Sequence, residues 1–465
     1  MNRFRSLVCS LIVVAAFGLN GNGTGATEPC RIEVMEKGTG WPVPLVELRT
    51  THLMRFISDN AGAIALDAPE LMGREIWFDV IGHGYEVPKD GFGYRGVRLK
   101  PEPGKTLRVE VDRAIIARRL GRITGGGLFA ESRKLGDNRF DAAETGVMGC
   151  DTIQSALHRG RLYWFWGDTG FANYPLGIFD CSGATTSLNP LANFEPPVQL
   201  SFDFFVDTNR RPRGVAPMPG DGPTWISGCV SVPDSNGVSR LVTVFSKIRG
   251  FLEPYQKGLC VWNDESNKFE LLRVIWEKSA SSPKPPLCPE GHPVFWKDER
   301  GKEWLLFGDP FPALRCPATF EAWQDPSQWE TLQPQKNLVS ASDHQPVVPH
   351  SGSIAWNAWR KRWVTVFVQF GGKPSHLGEV WYAEADSPMG PWGRAIKVLS
   401  HDNYTFYNPC LHPELTPTNS PVLLFEGTYS QTFADRPQPT PRYDYNQMLY
   451  RLDLDDPRLR PAQDR

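Results

Sequence analysis

The sequence predicts an all-β protein, a small N-terminal β-sandwich followed by a five-bladed β-propeller, and three observations carry that reading. Five times between Cys150 and Gly427, a short segment holding a polar or small residue precedes a strand of aromatic and β-branched residues. Turn-forming residues separate most of these pairs, at His158-Arg159-Gly160, Asp234 to Gly237, Asp298 to Gly301 and Pro417 to Pro421, as hairpins require. Ahead of the repeat lies a run of short strands divided by Gly, Pro and Asp-Asn turns, the pattern of a separate sandwich.

In chain order, residues 1–26 read as a signal peptide: Arg3 and Arg5, the apolar stretch Leu7 to Phe17, then the glycine-rich Asn20 to Gly25. The apolar run is too short to span a bilayer, and no later run is long enough, so the expectation is an exported protein, periplasmic or extracellular, outside the membrane. Residues 30–112 form the sandwich, with strands at Arg31 to Met35, Leu45 to Thr50, Met54 to Ser58, Ala63 to Leu66, Ile76 to Ile81, Tyr94 to Leu99 and Leu107 to Val111. Residues 113–140 are basic and glycine-containing and read as a linker. Their Gly125-Gly126-Gly127 lacks the Lys-Ser/Thr of a phosphate loop. Residues 141–460 carry the repeat. Its leading segments are Cys150 to Ile153, Ile226 to Val230, Gly291 to Phe295, Ser351 to Trp356 and Tyr407 to Leu411. The strands that follow are Leu162 to Trp166, Leu241 to Phe245, Trp304 to Phe307, Trp363 to Phe367 and Val422 to Phe425. Hairpins recurring in this way are blades around an axis. The Pro-rich insertions at Pro190 to Pro223 and Ser279 to Pro289 are expected to shape a cleft on one face.

Composition narrows the function. Over 465 residues the formal net charge is −2 with no long basic run, which excludes nucleic acid as an expected partner. Aromatic residues make up 12 %, with 16 Trp, and Trp and Tyr stack on sugar faces as well as packing blades. Of 9 cysteines, Cys9 falls in the signal and none of the rest stands in a Cys-x-x-Cys pair, which argues against a zinc ribbon, a thioredoxin-type site or haem attachment. Several lie in apolar strands, where a buried free thiol is expected. The expected state is a monomer.

Inner strands of a propeller converge on a funnel, so residues that begin or end the hairpins should meet there. These are Asp151 and Asp168 from the first repeat, Glu290, His292 and Asp309 from the third, His350 from the fourth, and Asn408, His412 and Glu426 from the fifth. Asp168 and Asp309 each follow an aromatic strand and a glycine, in Trp166-Gly167-Asp168 and Phe307-Gly308-Asp309, a place that also suits a turn-capping Asp. There is no Gly-x-Ser-x-Gly, His-Glu-x-x-His or Cys-x-Pro-x-Arg motif. What remains is carboxylates and histidines at strand ends. Glycoside cleavage uses two carboxyl groups whose environments push their pKa values apart, and a funnel can supply both.

Cys150-Asp151-Thr152 followed by Gly160 to Thr169, Glu379 to Trp392 with its Pro388-Met389-Gly390-Pro391-Trp392, and Tyr407-Asn408-Pro409 with Phe425 to Tyr429 together resemble five-bladed glycoside hydrolases of the arabinanase and xylosidase clan and the endo-D-arabinanase-related propellers. Residues 30–112, through Ser58 to Gly62, Phe78 to Tyr85 and Lys105 to Val111, resemble carboxypeptidase regulatory-like domains. The first resemblance implies a carbohydrate substrate, Asp151 as base or nucleophile and Glu290, or failing it Glu426, as general acid. The clan's second-blade Asp is missing around Trp225 to Cys229, which leaves Asp168 as the supporting carboxylate. Trp225, His292, His350, Asn408, His412 and Asp309 are then substrate-binding. No cofactor is expected; an ion in the funnel, if held, would be Ca²⁺ on oxygen ligands. Two further readings stay open: a carbohydrate-binding propeller without catalysis, and a lyase acting on uronic acid sugars.

Overall fold

Cys30–Glu36 alternates buried and half-buried side chains, the period of a strand with one face on a core. It pairs antiparallel with Ala63–Leu66 and parallel with Thr106–Arg113, and Tyr85–Glu86 completes this sheet of four. A second sheet of four runs Arg55–Ile57, Glu47–Thr50, Ile76–Ile81, Gly96–Leu99. Ile32, Val34, Val109 and Val111 of the first sheet and Leu48, Phe78 and Val80 of the second share one core. The computed structural model describes residues 28–138, 145–250, 252–435 and 438–463, and the expected signal peptide lies outside them.

Beyond the sandwich the chain is again strand, and the fold is all-β, arranged as five antiparallel sheets of four. The first blade is Ile153–His158, Arg161–Trp166, Ser182–Thr186 and Asp203–Phe204; the second is Thr224–Pro233, Ser239–Arg249, Glu253–Asn263 and Lys268–Glu277. The third is Val294–Lys297, Glu303–Gly308, Pro312–Pro317 and Glu330–Thr331; the fourth is Pro349–Asn357, Arg362–Gln369, Val380–Ala385 and Ile396–Leu399. The fifth blade takes three strands from the end of the repeat, Thr405–Leu411, Val422–Ser430 and Asn446–Asp453. Its outermost strand, Arg118–Arg122, comes from before the first blade.

That last pairing corrects the linker expected over residues 113–140. Arg118–Arg122 closes the ring, and Ala130–Lys134 forms a short helix. Five residues reading Arg-Arg-Leu-Gly-Arg show no strand alternation in sequence. They are buried because Arg119 donates to the carbonyls of Pro44, Leu45, Gly82 and His83 and to the Tyr450 hydroxyl, at 2.8–3.3 Å. The same residue fastens the sandwich to the propeller. His83, a loop residue in sequence, is buried there with Nε2 3.0 Å from the Tyr429 hydroxyl, and Tyr443 donates to the Ser58 carbonyl at 2.7 Å. The sandwich core runs without a break into side chains of the fourth and fifth blades, among them Val366, Tyr404, Phe406 and Tyr450. The insertion between the third and fourth strands of the first blade also turns inward. Phe194, Val198, Leu200 and Phe202 pack onto the Trp164 and Trp166 cluster.

Candidate active site

The start of each inner strand is stitched to its neighbour by side chains that accept backbone N–H bonds. Gln154 of the first blade accepts from Gly228 and Cys229 of the second, and Ser227 accepts from Gly291 leading into the third. Asp309 of the third blade accepts from Gly352 of the fourth at 2.6 Å, and Ser351 and Ser353 accept from Asn408 and Leu411 of the fifth. Asn408 Nδ2 donates to Thr152 Oγ1 at 2.8 Å and Thr428 accepts from Thr152 N, closing the circle. Ladder bonds cannot be made at these starts because the strands bulge there, between Ser227 and Val230, Pro349 and Ser351, and Tyr407 and Cys410. A bulge turns side chains out of the sheet and toward the axis.

The inner pair of the first blade is regular, and a break between it and a preceding flap places two carboxylates together instead. Val147–Cys150, Thr169–Phe171 and Tyr174–Ile178 form a three-stranded flap, and the chain passes from flap to blade at Asp151-Thr152 and back at Gly167-Asp168. Asp151 N bonds Asp168 O at 3.3 Å while Gly167 N reaches the carbonyls of Asp151 and Thr152. A Cβ on Gly167 would stand 2.3 Å from Asp151 Oδ1, so only glycine leaves room for the carboxylate. Tyr407 donates to Asp151 Oδ2 at 3.0 Å, and the Tyr445 hydroxyl lies close enough to the same carboxylate to favour its ionised form. Burial pushes the Asp151 carboxyl up to about 7; the Asp168 charge adds to this, and the two tyrosines oppose it. Burial also raises Asp168, against a hydrogen bond from Trp225.

Glu290, His292 and Asp309 come from the third blade. Both oxygens of Glu290 accept from Lys257 Nζ, at 2.5 and 2.6 Å, an ion pair reaching across from the second blade. Asp309 is exposed at its surface yet is surrounded by protein at longer range. That desolvation pushes it up to about 7, opposed by the Gly352 N–H and reinforced by the Glu290 charge. His292 sits 3.5 Å from the Cys410 thiol, and its pKa is lowered to about 4 by burial and then by the charge on His412. His350 is exposed at the start of the fourth blade and stacks on Phe370.

Two of the expected site residues do not reach the funnel. His412 and Glu426 have no solvent exposure and bond each other at 2.8 Å, with Glu414 on the other imidazole nitrogen at 3.1 Å. Trp164 of the first blade packs 5.0 Å from the His412 ring. The trio is an internal charge cluster between the fifth and first blades, so Glu426 cannot serve as the fallback acid. Its place on the second strand, paired with Cys410, puts it one strand away from the axis.

Sequence reasoning missed Lys257, Tyr445 and the hydrogen-bonding role of Tyr407. Lys257 lies on a third strand and Tyr445 in the turn before one, and no strand-start rule selects either. Among the described residues, no three His, Cys, Asp or Glu side chains are grouped to hold a metal ion. The described cysteines, Cys30, Cys150, Cys181, Cys229, Cys260, Cys288, Cys316 and Cys410, are free and buried.

No protein-family model matches the sequence, and no curated protein matches it significantly. Solved structures with a similar course of chain include an exo-1,5-alpha-L-arabinanase from a bovine ruminal metagenomic library, at 12 % identity and a TM-score of 0.39 over 67 % of this chain and 94 % of that one. An exo-beta-1,3-galactanase from Phanerochaete chrysosporium is similar at 11 % identity and 0.39 over 66 % of this chain and 61 % of its own. A GH43_1 enzyme from Xanthomonas citri follows at 12 % and 0.36, over 65 % and 87 %. Likenesses this distant add nothing about activity, and the fold of this chain rests on its own strand pairing.

Proposed function

We propose that this chain is an exported glycoside hydrolase that cleaves a polysaccharide or oligosaccharide with carboxyl groups at the mouth of the propeller. One observation supports this above the others. Asp151, beside Asp168 and bonded by Tyr407 at 3.0 Å, and Asp309, bonded by the Gly352 N–H at 2.6 Å, come from different blades. Burial raises them together to about 7 rather than pushing them apart, so each can hold or release a proton near neutrality and their partners set the roles. Hydrolysis of a glycosidic bond needs an acid for the leaving oxygen and a base or nucleophile for the other face of the sugar. Asp151, with Asp168 beside it, is the base or nucleophile. On the acid side the ion pair with Lys257 suits Glu290 to an anionic, orienting role, and Asp309 to donating the proton. Trp225, His350 and Asn408 contribute polar and aromatic surface for the sugar.

The Lys257 ion pair also favours a second reading, a propeller that binds carbohydrate without cleaving it, because it occupies the carboxylate that the resemblance assigns as acid. Incubation with a panel of polysaccharides separates the two. Reducing-end release that is lost in Asp151→Asn supports hydrolysis; retention on a polysaccharide in affinity electrophoresis with no product supports binding alone.

A further inference from the structure

We propose that Tyr407 and Tyr445 are positioning residues that hold Asp151 in the orientation and ionic form required of the base. This rests on the hydrolase reading only in the name of the reaction; the hold on Asp151 is a property of the fold.

The two hydroxyls reach one carboxylate from different parts of the fifth blade. Tyr407 comes from the bulge of the inner strand and donates to Oδ2 at 3.0 Å. Its ring is buried and meets Phe433, which is 51 % exposed, edge-on at 6.4 Å, so the ring packs without the help of its hydroxyl. Tyr445 precedes the third strand and has φ 57°, a left-handed backbone that is strained for a tyrosine. The turn is pinned from behind by the buried Asn446, whose Nδ2 contacts the carbonyls of Met148, Arg442 and Asp444. Glycine at 149 leaves room for it, since a Cβ there would lie 2.5 Å from the Tyr445 carbonyl. The flap strand, the turn and the inner-strand bulge therefore all converge on the side of Asp151 away from Gly167.

The chemistry of this arrangement is directional. Burial first, and then the nearby carboxylates, push both phenols above their ordinary value, so they remain O–H donors throughout the working range and take no proton from the reaction. A donated hydrogen bond favours the carboxylate over the carboxylic acid and opposes the burial and the Asp168 repulsion that favour protonation. Deleting either hydroxyl should shift Asp151 toward the protonated form.

The test uses the full chain and the variants Tyr407→Phe, Tyr445→Phe and the double variant, which keep both rings. The Asp151 carboxyl is titrated by carbon-13 NMR, with Asp151→Asn for assignment. The expected result is an upward movement of its midpoint, roughly one pH unit for Tyr407→Phe and further for the double variant. On a cleaved substrate the acid limb of kcat/KM should move upward in parallel while KM changes less than about twofold. An unchanged midpoint in Tyr407→Phe and Tyr445→Phe would overturn the proposal, because a purely structural role is satisfied by phenylalanine. Should the wild-type chain cleave nothing, the hydrolase reading falls, and the NMR midpoints still decide the role of the tyrosines. If Tyr407→Phe misfolds, Tyr445→Phe alone carries the same comparison.

Discussion

Asp151 is confined by Gly167 on one oxygen, Tyr407 on the other and the Asp168 charge alongside, and the proposed role as base draws on that confinement. Asp151→Asn removes the base while keeping the shape, so kcat/KM on a cleaved polysaccharide should fall by about 10²–10⁴ while sugar binding in affinity electrophoresis persists. The pH dependence has a definite sign. In the proposed reaction the ionised Asp151 that serves as base is lost as pH falls through about 7, and the protonated Asp309 that serves as acid is lost as pH rises through about 7. The kcat/KM profile should therefore be a narrow bell near neutrality, measured across pH 5 to 9 (about two units either side). Deeper in the ring, burial alone would lower His412, but its bonds to Glu414 and Glu426 prevail and push it up to about 9. A pKa raised in the folded state means a stabilisation complete below about 6.5 and lost as pH rises through about 9. His412→Gln should cost about 3–5 kcal/mol in urea unfolding at acid-side pH, by leaving Glu426 buried without its cation, and the gap from wild type should narrow above pH ~9.

At the scale of elements, interruptions of the strands decide where the candidate carboxylates sit. An uninterrupted strand from the flap through Ile153 would alternate its side chains between the two faces of the sheet. The break at Asp151-Thr152 and Gly167-Asp168 brings two carboxylates to the same end instead. Gly167→Ala should displace Asp151 and reduce kcat/KM strongly, with a smaller effect on thermal stability, because the clash is with a side chain at the mouth rather than with packed core. The closing strand makes the complementary point. Arg119→Met fills much of the same volume but leaves the carbonyls of Pro44, Leu45, Gly82 and His83 without this donor. Urea unfolding should register a loss on the order of 3 kcal/mol. The strands of the repeat are legible in sequence because a central blade strand is apolar on both faces, as in Leu162 to Trp166 and Val422 to Phe425. Arg118–Arg122 is not, because its burial is satisfied by partners up to 331 positions away.

Across the whole molecule, sandwich and propeller share one apolar core through Tyr404, Phe406, Tyr429 and Tyr450, and they are joined by polar bonds at His83, Arg119 and Tyr443. No side chain of the first unit enters the funnel contacts described above, yet the fifth blade is built against it. Calorimetry should show a single cooperative transition for the full chain. Deleting residues 28–112 should lower soluble yield and melting temperature rather than release an independent propeller; two separate transitions, or a truncated chain as stable as the parent, would contradict this. Period, turn chemistry and strand composition are local properties, so the sequence by itself determined the all-β class, the five repeats and the sandwich strands, and it placed Asp151, Asp168, Glu290 and Asp309 at strand ends. Which of them meet, and in what state, is set by contacts between residues far apart in the chain. Only the tertiary structure decided that Lys257 neutralises Glu290, that two tyrosines of the last blade hold an aspartate of the first, and that His412 and Glu426 face each other in the interior, because charge and hydrogen bonding act through space and leave no periodic trace along the chain.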